Sequence, residues 1–265
     1  MSEKTSYEPG VPCWVDLSTT DLPGALSFYG RLFGWEAEDM GEQAGHYTML
    51  RLRGLDAAAA APQMPEQAGR PPAWNVYVAV SDADATAKTI ESAGGRLLMP
   101  PMDVFTSGRM AVAMDPQGAA FSIWQARDHI GSSIVNEPGS ITWTELATRD
   151  AEGAFAFYSG VFGWGRKDTD AGGDAGGMAY TELLVGERSV AGMMAMTDEW
   201  PAEVPPHWMP YFAVADTDAT AKLATELGGS VPVEPTDIPP GRFAVLNDPQ
   251  GGYFSIIALA IEPPG

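Results

Sequence analysis

The 265-residue chain has one cysteine, Cys13, and three histidines, His46, His129 and His207. A single thiol excludes an intrachain disulfide framework and a multi-cysteine zinc site. Positive charge is scarce as well: 15 Lys and Arg stand against 35 Asp and Glu, a formal charge of −20. Such a surface repels phosphate backbones and anionic lipid heads, so no nucleic acid and no membrane is expected as a partner. Long apolar runs are also missing. The most tempting, Ala57 to Ala61, is short and made of small residues, far below the roughly 18 needed to span a bilayer. Met1 to Gly10 has neither the basic start nor the apolar stretch of a signal peptide, and a reducing, cytoplasmic setting is expected. What is plentiful is hydrophobic residues, 45% of the chain, enough to fill a core and to exclude global disorder.

The length suits two domains, and the sequence repeats accordingly. Asp21-Leu-Pro-Gly-Ala-Leu-Ser-Phe-Tyr-Gly-Arg-Leu-Phe-Gly-Trp35 is answered by Asp150-Ala-Glu-Gly-Ala-Phe-Ala-Phe-Tyr-Ser-Gly-Val-Phe-Gly-Trp164. Tyr47-Thr48 returns as Tyr180-Thr181, Asp84-Ala-Thr-Ala-Lys88 as Asp218-Ala-Thr-Ala-Lys222, and Gly108-Arg109 as Gly241-Arg242. Asp115-Pro-Gln-Gly118 with Phe121-Ser-Ile123 returns as Asp248-Pro-Gln-Gly251 with Phe254-Ser-Ile256. The offset stays between 129 and 134 throughout. Ordered matches at one offset identify a tandem duplication. Its boundaries are residues 1–126, a polar linker at 127–140, and residues 141–265.

Cys13 to Ser18 alternates as a strand, with Trp14 and Asp16 on one face and Val15 and Leu17 on the other. Asp21 or Thr20 caps a helix with Pro23 in its first turn, an apolar stripe follows, and Gly34 stops it. Short strands are expected around His46 to Leu52 and in the alanine run. A second round has a strand at Asn75 to Val80, a helix from Ala83 to Ala93, and strands near Arg96, Met110 and Ala120, the last two joined by the Asp-Pro-Gln-Gly turn. The expected class is α+β, with the order β-α-β-β-β occurring four times.

This order, the Phe-Tyr…Phe-Gly-Trp helix end and the Asp-Pro-Gln-Gly hairpin resemble the vicinal oxygen chelate superfamily of glyoxalases, extradiol dioxygenases and bleomycin-resistance proteins. The resemblance implies four βαβββ modules forming two tandem glyoxalase-like domains, whose cup-shaped mixed sheets enclose a small ligand. It also implies where a divalent metal would be held: on the first strand of each module and near the end of the last. Counting back seven residues from the helix-start aspartates reaches Trp14 and Trp143; the second-module positions are Asn75 and Met209, and the carboxylate after the turn is replaced by Ser122 and Ser255. Indole, thioether and hydroxyl groups are poor ligands for a catalytic divalent ion. No metal and no other cofactor is therefore expected.

The remaining cup residues must carry the chemistry. Asp16 and Glu145, each two residues after a tryptophan, are the candidate acid/base groups, since a carboxylate beside an indole in a cleft is desolvated and harder to ionise. Arg109 and Arg242 either clamp an anionic ligand oxygen or pair with acidic groups of the surface. Trp74, Tyr77 and Trp124 in one cup, and Trp208, Tyr211 and Tyr253 in the other, offer flat walls with polar edges. Trp35 and Trp164 are assigned to the core. Met99, Met102, Met178, Met193, Met194 and Met196 either line an adaptable cavity or fill gaps, and the loop bearing Gly172-Gly173 and Gly176-Gly177 reads as a hairpin tip over the second cup. The expected function is metal-independent proton transfer (cyclisation, dehydration, isomerisation or epimerisation) on a planar aromatic, polyketide-like molecule. The alternatives are sequestration of a small molecule, or a metal-dependent lyase or dioxygenase with atypical ligands. A monomer or a homodimer is compatible with two fused halves.

Overall fold

The computed structural model describes residues 2–65, 69–170 and 179–260. The first half contains β1 (Pro12–Thr19), α1 (Leu22–Phe33), β2 (Glu36–Asp39), β3 (Thr48–Leu52) and β4 (Leu55–Pro62), then β5 (Ala73–Ala79), α2 (Ala83–Ser92), β6 (Arg96–Val104), β7 (Gly108–Met114) and β8 (Ala120–Ala126). The second half repeats the series as β9 (Ile141–Thr148), α3 (Ala151–Phe162), β10 (Gly165–Asp170), β11 (Ala179–Val185) and β12 (Arg188–Ala195), followed by β13 (His207–Ala213), α4 (Thr217–Glu226), β14 (Ser230–Ile238), β15 (Gly241–Asn247) and β16 (Tyr253–Leu259). Residues 172–177 and Met178, read from the sequence as a loop and a cavity residue, lie outside the described residues. Among the described residues no helix is long and apolar enough to cross a membrane.

The helices begin where the sequence supplies a side-chain acceptor. Asp21, Asp82, Asp150 and Asp216 each accept the backbone N–H three residues on, from Gly24, Ala85, Gly153 and Ala219. Those bonds satisfy donors that have no partner inside the helix. The Phe-Gly-Trp motif ends α1 and α3: Gly34 and Gly163 take left-handed conformations, φ 74° and 70°, that a residue with a side chain adopts at a cost.

Each half forms one eight-stranded sheet, ordered β2-β3-β4-β1-β5-β8-β7-β6 in the first and β10-β11-β12-β9-β13-β16-β15-β14 in the second. At the centre the two modules meet antiparallel, β1 on β5 and β9 on β13. Parallel strands flank them, β4 and β8 in one sheet, β12 and β16 in the other. Alternation then sorts the side chains of the central strands. Val15, Leu17, Val76, Val78, Phe121 and Ile123 enter one core with the helices of both halves, whereas Trp14, Tyr77 and Trp124 gather on the opposite face.

That shared core joins the halves through their helix faces, with α1 against α4 and α2 against α3. Its polar centre is reciprocal. The Tyr29 hydroxyl donates to Asp248 Oδ2 at 3.0 Å and the Tyr158 hydroxyl to Asp115 Oδ2 at 2.9 Å. Each aspartate opens an Asp-Pro-Gln-Gly turn and also accepts backbone N–H groups of its own turn, so the motif is both a hairpin and a connector. Trp74 and Trp208 in turn donate to Tyr29 and Tyr158, at 3.1 and 2.9 Å. Trp35 and Trp164 stack on the same tyrosines, and their indole N–H groups bond to the carbonyls of Gly139 and Gly10 across the molecule. The linker packs closely as well. Ile134 is fully buried, and Ser132 donates its N–H to Cys13 and its hydroxyl to the Ala57 carbonyl.

Tyr29→Phe removes the donor to Asp248 and the acceptor of Trp74 in one step. Leaving buried polar groups unpaired costs about 1–3 kcal/mol each, so both Tyr29→Phe and Tyr158→Phe are expected to lower unfolding free energy in urea by at least about 2 kcal/mol. A loss below about 0.5 kcal/mol in both variants contradicts the assigned role of these bonds.

Candidate active site

In the first cup, strand register brings the named residues together. Asp16 lies across from Asn75, Trp14 across from Tyr77, and Tyr77 beside Ser122. Asp16 is 6% exposed and accepts three hydrogen bonds: from Asn75 Nδ2 at 2.7 Å to Oδ1, and from the Tyr77 and Tyr47 hydroxyls at 2.7 and 3.1 Å to Oδ2. Trp14 Nε1 donates to the Tyr47 oxygen at 2.9 Å, forming a chain from indole to phenol to carboxylate. Burial raises the Asp16 pKa above the usual carboxylate value, and the three donors oppose that rise. The cup is closed by aromatic side chains. The His129 ring, from the linker, packs edge-on to Trp14 at 4.6 Å, and the Trp124 indole donates to the His129 carbonyl.

The second cup repeats the chain and loosens it. Glu145 Oε1 accepts from the Tyr211 hydroxyl at 2.9 Å, Trp143 Nε1 donates to Tyr180 at 2.8 Å, and the Tyr180 hydroxyl lies beside the carboxylate. Met209 stands across from Glu145 where Asn75 faces Asp16, and its sulfur accepts from Ser255. The carboxylate thus loses its amide donor. Trp143 and Glu145 are only half-buried, unlike Trp14 and Asp16. Burial again raises the carboxyl pKa, with Tyr211 and Tyr180 opposing.

Several residues expected in the cups lie elsewhere. Trp74 and Trp208 belong to the core between the halves: each is adjacent in sequence to a cup residue, Asn75 or Met209, and neighbours on a strand point to opposite faces. Arg109 shares a face with Ala111 and Ala113 of that core, and it grips both oxygens of Asp84 on α2 at 2.7 and 2.9 Å. Arg242 holds Asp218 on α4 in the same way, at 2.6 and 3.0 Å. Both guanidiniums therefore serve surface ion pairs, and neither touches Asp16 or Glu145. Tyr253 is 52% exposed at the start of β16.

The histidines do not converge. His46 pairs with Asp39 in an exposed loop, His129 lies beside Asp56, and His207 bonds to the Pro205 carbonyl. Among the described residues no group of three His, Cys, Asp or Glu side chains is placed to hold a metal ion. The positions to which the family resemblance points do not suit one either. Trp14 and Trp143 present N–H donors already bonded to tyrosine, Asn75 donates to Asp16, and Met209 offers a thioether. A catalytic divalent ion requires imidazole or carboxylate in those places.

Two eight-stranded α+β sheets, each built from paired βαβββ modules with a polar cluster on its free face, define the class. The sequence profile of the Glyoxalase/Bleomycin resistance protein/Dioxygenase superfamily matches residues 13–123 and 140–256, and the chain belongs to that superfamily. Among its relatives is CFP32 of Mycobacterium bovis, whose name assigns it provisionally to the glyoxylases; it is 44% identical over 264 residues, 98% of this chain and 99% of the relative. The anthracycline biosynthesis protein DnrV of Streptomyces peucetius is 41% identical over 268 residues, covering 96% of this chain and 95% of the relative. The Mn(II)-bound glyoxalase of Novosphingobium aromaticivorans shares the fold, with TM-score 0.61 at 16% identity over 96% of this chain and 86% of that one.

Tyr47 and Tyr180 are the site residues that the sequence pattern did not assign. Both were visible in the repeat as Tyr-Thr; Tyr47 bonds directly to Asp16, and Tyr180, held by Trp143, stands beside Glu145.

The raised Asp16 pKa has a definite sign. A carboxyl harder to ionise when folded than when unfolded favours the folded state below the unfolded pKa, near 4, and that contribution is lost as pH rises through the folded value. Asp16→Asn removes this pH dependence. The difference in melting temperature, variant minus wild type, is expected to move in the variant's favour between pH 4 and pH 8; a flat or opposite trend would show that the carboxyl ionises as easily folded as unfolded.

Proposed function

We propose that this chain is a metal-independent enzyme that moves a proton on a planar aromatic, polyketide-like molecule, and that the second cup is its working site. One observation carries the reading: each cup holds a half-buried or buried carboxylate that no Lys or Arg among the described residues neutralises, under two tyrosine hydroxyls. Desolvated carboxyls of this kind bring their proton affinity toward neutral pH, where general acid/base exchange is efficient. The role of DnrV in anthracycline biosynthesis, carried in its name, supports a fused-ring aromatic ligand.

The second cup is favoured because Glu145 and Trp143 are reached by solvent and Glu145 accepts one hydrogen bond, from Tyr211, where Asp16 accepts three. Glu145 takes a proton from a carbon or hydroxyl of the ligand. Its carboxyl then needs fewer donors, and the hydroxyl of Tyr211 or Tyr180 turns toward the ligand oxygen that has gained charge. This places the oxyanion donors on the tyrosines, since Arg109 and Arg242 are committed to α2 and α4. Trp143, fixed by its bond to Tyr180, supplies a flat wall.

General acid/base groups contribute about 10²–10⁴-fold in rate, so Glu145→Gln is expected to lower turnover by that factor while affinity for the aromatic ligand changes less than about threefold. A panel of hydroxyanthraquinones, followed by tryptophan quenching and by solvent deuterium incorporation, measures both. Activity is expected to survive chelation by EDTA. Normal turnover in Glu145→Gln, or loss on chelation with stoichiometric metal in the purified protein, overturns the proposal; tight binding with no deuterium incorporation in wild type supports sequestration instead.

A further inference from the structure

The two halves differ at the residue that faces the carboxylate from the neighbouring parallel strand. Asp16 lies across from Ala59, whereas Glu145 lies across from Gly192. A Cβ on Gly192 would sit 1.8 Å from the Tyr180 hydroxyl oxygen and 2.8 Å from Trp143 Nε1. The phenol therefore occupies the space in which the first half carries a methyl group. The two exchanges complement each other: the acid gains a methylene at 145 and its neighbour loses a methyl at 192. At the second flank, Met209 replaces Asn75 and removes the amide that pins Asp16.

We infer that Gly192 and Met209 are positioning residues, which together let the Tyr180 hydroxyl settle over β12 beside the longer carboxylate and leave one edge of Glu145 open to a ligand. Neither touches the reacting atoms. Gly192 acts through Tyr180, because only an absent side chain admits the hydroxyl over β12. Met209 acts by offering a thioether, which has no N–H to give. Asn75 does the reverse in the first cup, where the shorter acid is closed in by three donors and Tyr47 reaches it beside Ala59. The inference rests on the proposed role of Glu145, but its first readout is independent of turnover.

The test follows ionisation of Glu145 in the full-length protein by carboxyl ¹³C NMR of glutamate-labelled samples. Glu145→Gln identifies the resonance. Gly192→Ala should displace the Tyr180 hydroxyl from beside the charged form, raising the titration midpoint by about one pH unit or more. Met209→Asn should add a donor and lower the midpoint. Glu145→Asp/Gly192→Ala, which copies the first cup, should bring the quenching response of Trp143 closer to wild type than Gly192→Ala alone. Unshifted midpoints in Gly192→Ala and Met209→Asn overturn the inference; should Gly192→Ala not fold, a Met209→Asn midpoint that fails to fall does so alone. If Glu145→Gln retains turnover while the midpoints move as stated, the proposed catalytic role fails and the positioning role stands.

Discussion

The bond between Tyr29 and Asp248, mirrored by Tyr158 and Asp115, is the constraint from which the rest of the molecule follows. All four groups are buried, and burial raises the proton affinity of both aspartates. A carboxylate so placed is tolerable only when its oxygens are satisfied. Backbone N–H groups of the Asp-Pro-Gln-Gly turn satisfy one oxygen, and the other requires the tyrosine of the opposite half. Neither half completes this arrangement alone. Gln117 extends the same logic by donating to Asp150, the cap of α3, and Gln250 lies against Gly24 at the start of α1, so each turn docks on the start of the other half's helix as well as on its middle.

Fixing the helix faces together determines what the sheets can do. Side chains of one parity on the central strands are spent on the shared core, and any ligand chemistry must come from the other parity. That accounts for the placement of Trp14, Asp16, Asn75, Tyr77, Ser122 and Trp124 in a single cluster, drawn from three adjacent strands. It also accounts for the arginines. On the core parity of an outer strand, Arg109 and Arg242 extend past the sheet to the first turn of α2 and α4, where Asp84 and Asp218 await them.

Much of this was legible in the sequence. The duplication, the order of elements, the aspartate helix caps and the glycine stops all rest on local rules, and the i, i+2 pairing of tryptophan with acid placed both carboxylates on one strand face. Trp74 lies in the core because alternation along β5 sets it on the face opposite Asn75 and Tyr77, a constraint stronger than its aromatic character. The arginines were ambiguous for a different reason, since the first residues of a strand carry little periodicity and their partners, Asp84 and Asp218, are more than twenty positions away. Tyr47 could not be assigned from pattern alone. It precedes β3 and its hydroxyl meets Asp16 through a sheet pairing separated by thirty-one residues, a contact that register creates and sequence spacing does not announce.

Comparing the halves separates two kinds of requirement. Residues that join them are the same on both sides: Tyr29 and Tyr158, Trp35 and Trp164, Trp74 and Trp208, Asp115 and Asp248. In the cups the halves part, with Asp16 against Glu145, Ala59 against Gly192, Asn75 against Met209, and Trp124 against Ile257. A reciprocal interface demands identical chemistry at both ends, because each half supplies the donor for the other's acceptor. A cup answers only to its own contents. With the interface inside one chain, the two cups can differ, one carboxylate longer and without an amide partner and the other closed by aromatic rings. The acidic, histidine-poor composition is compatible with that division: what each cup retains is a carboxylate, two phenols and an indole, a set that handles protons through hydrogen bonds.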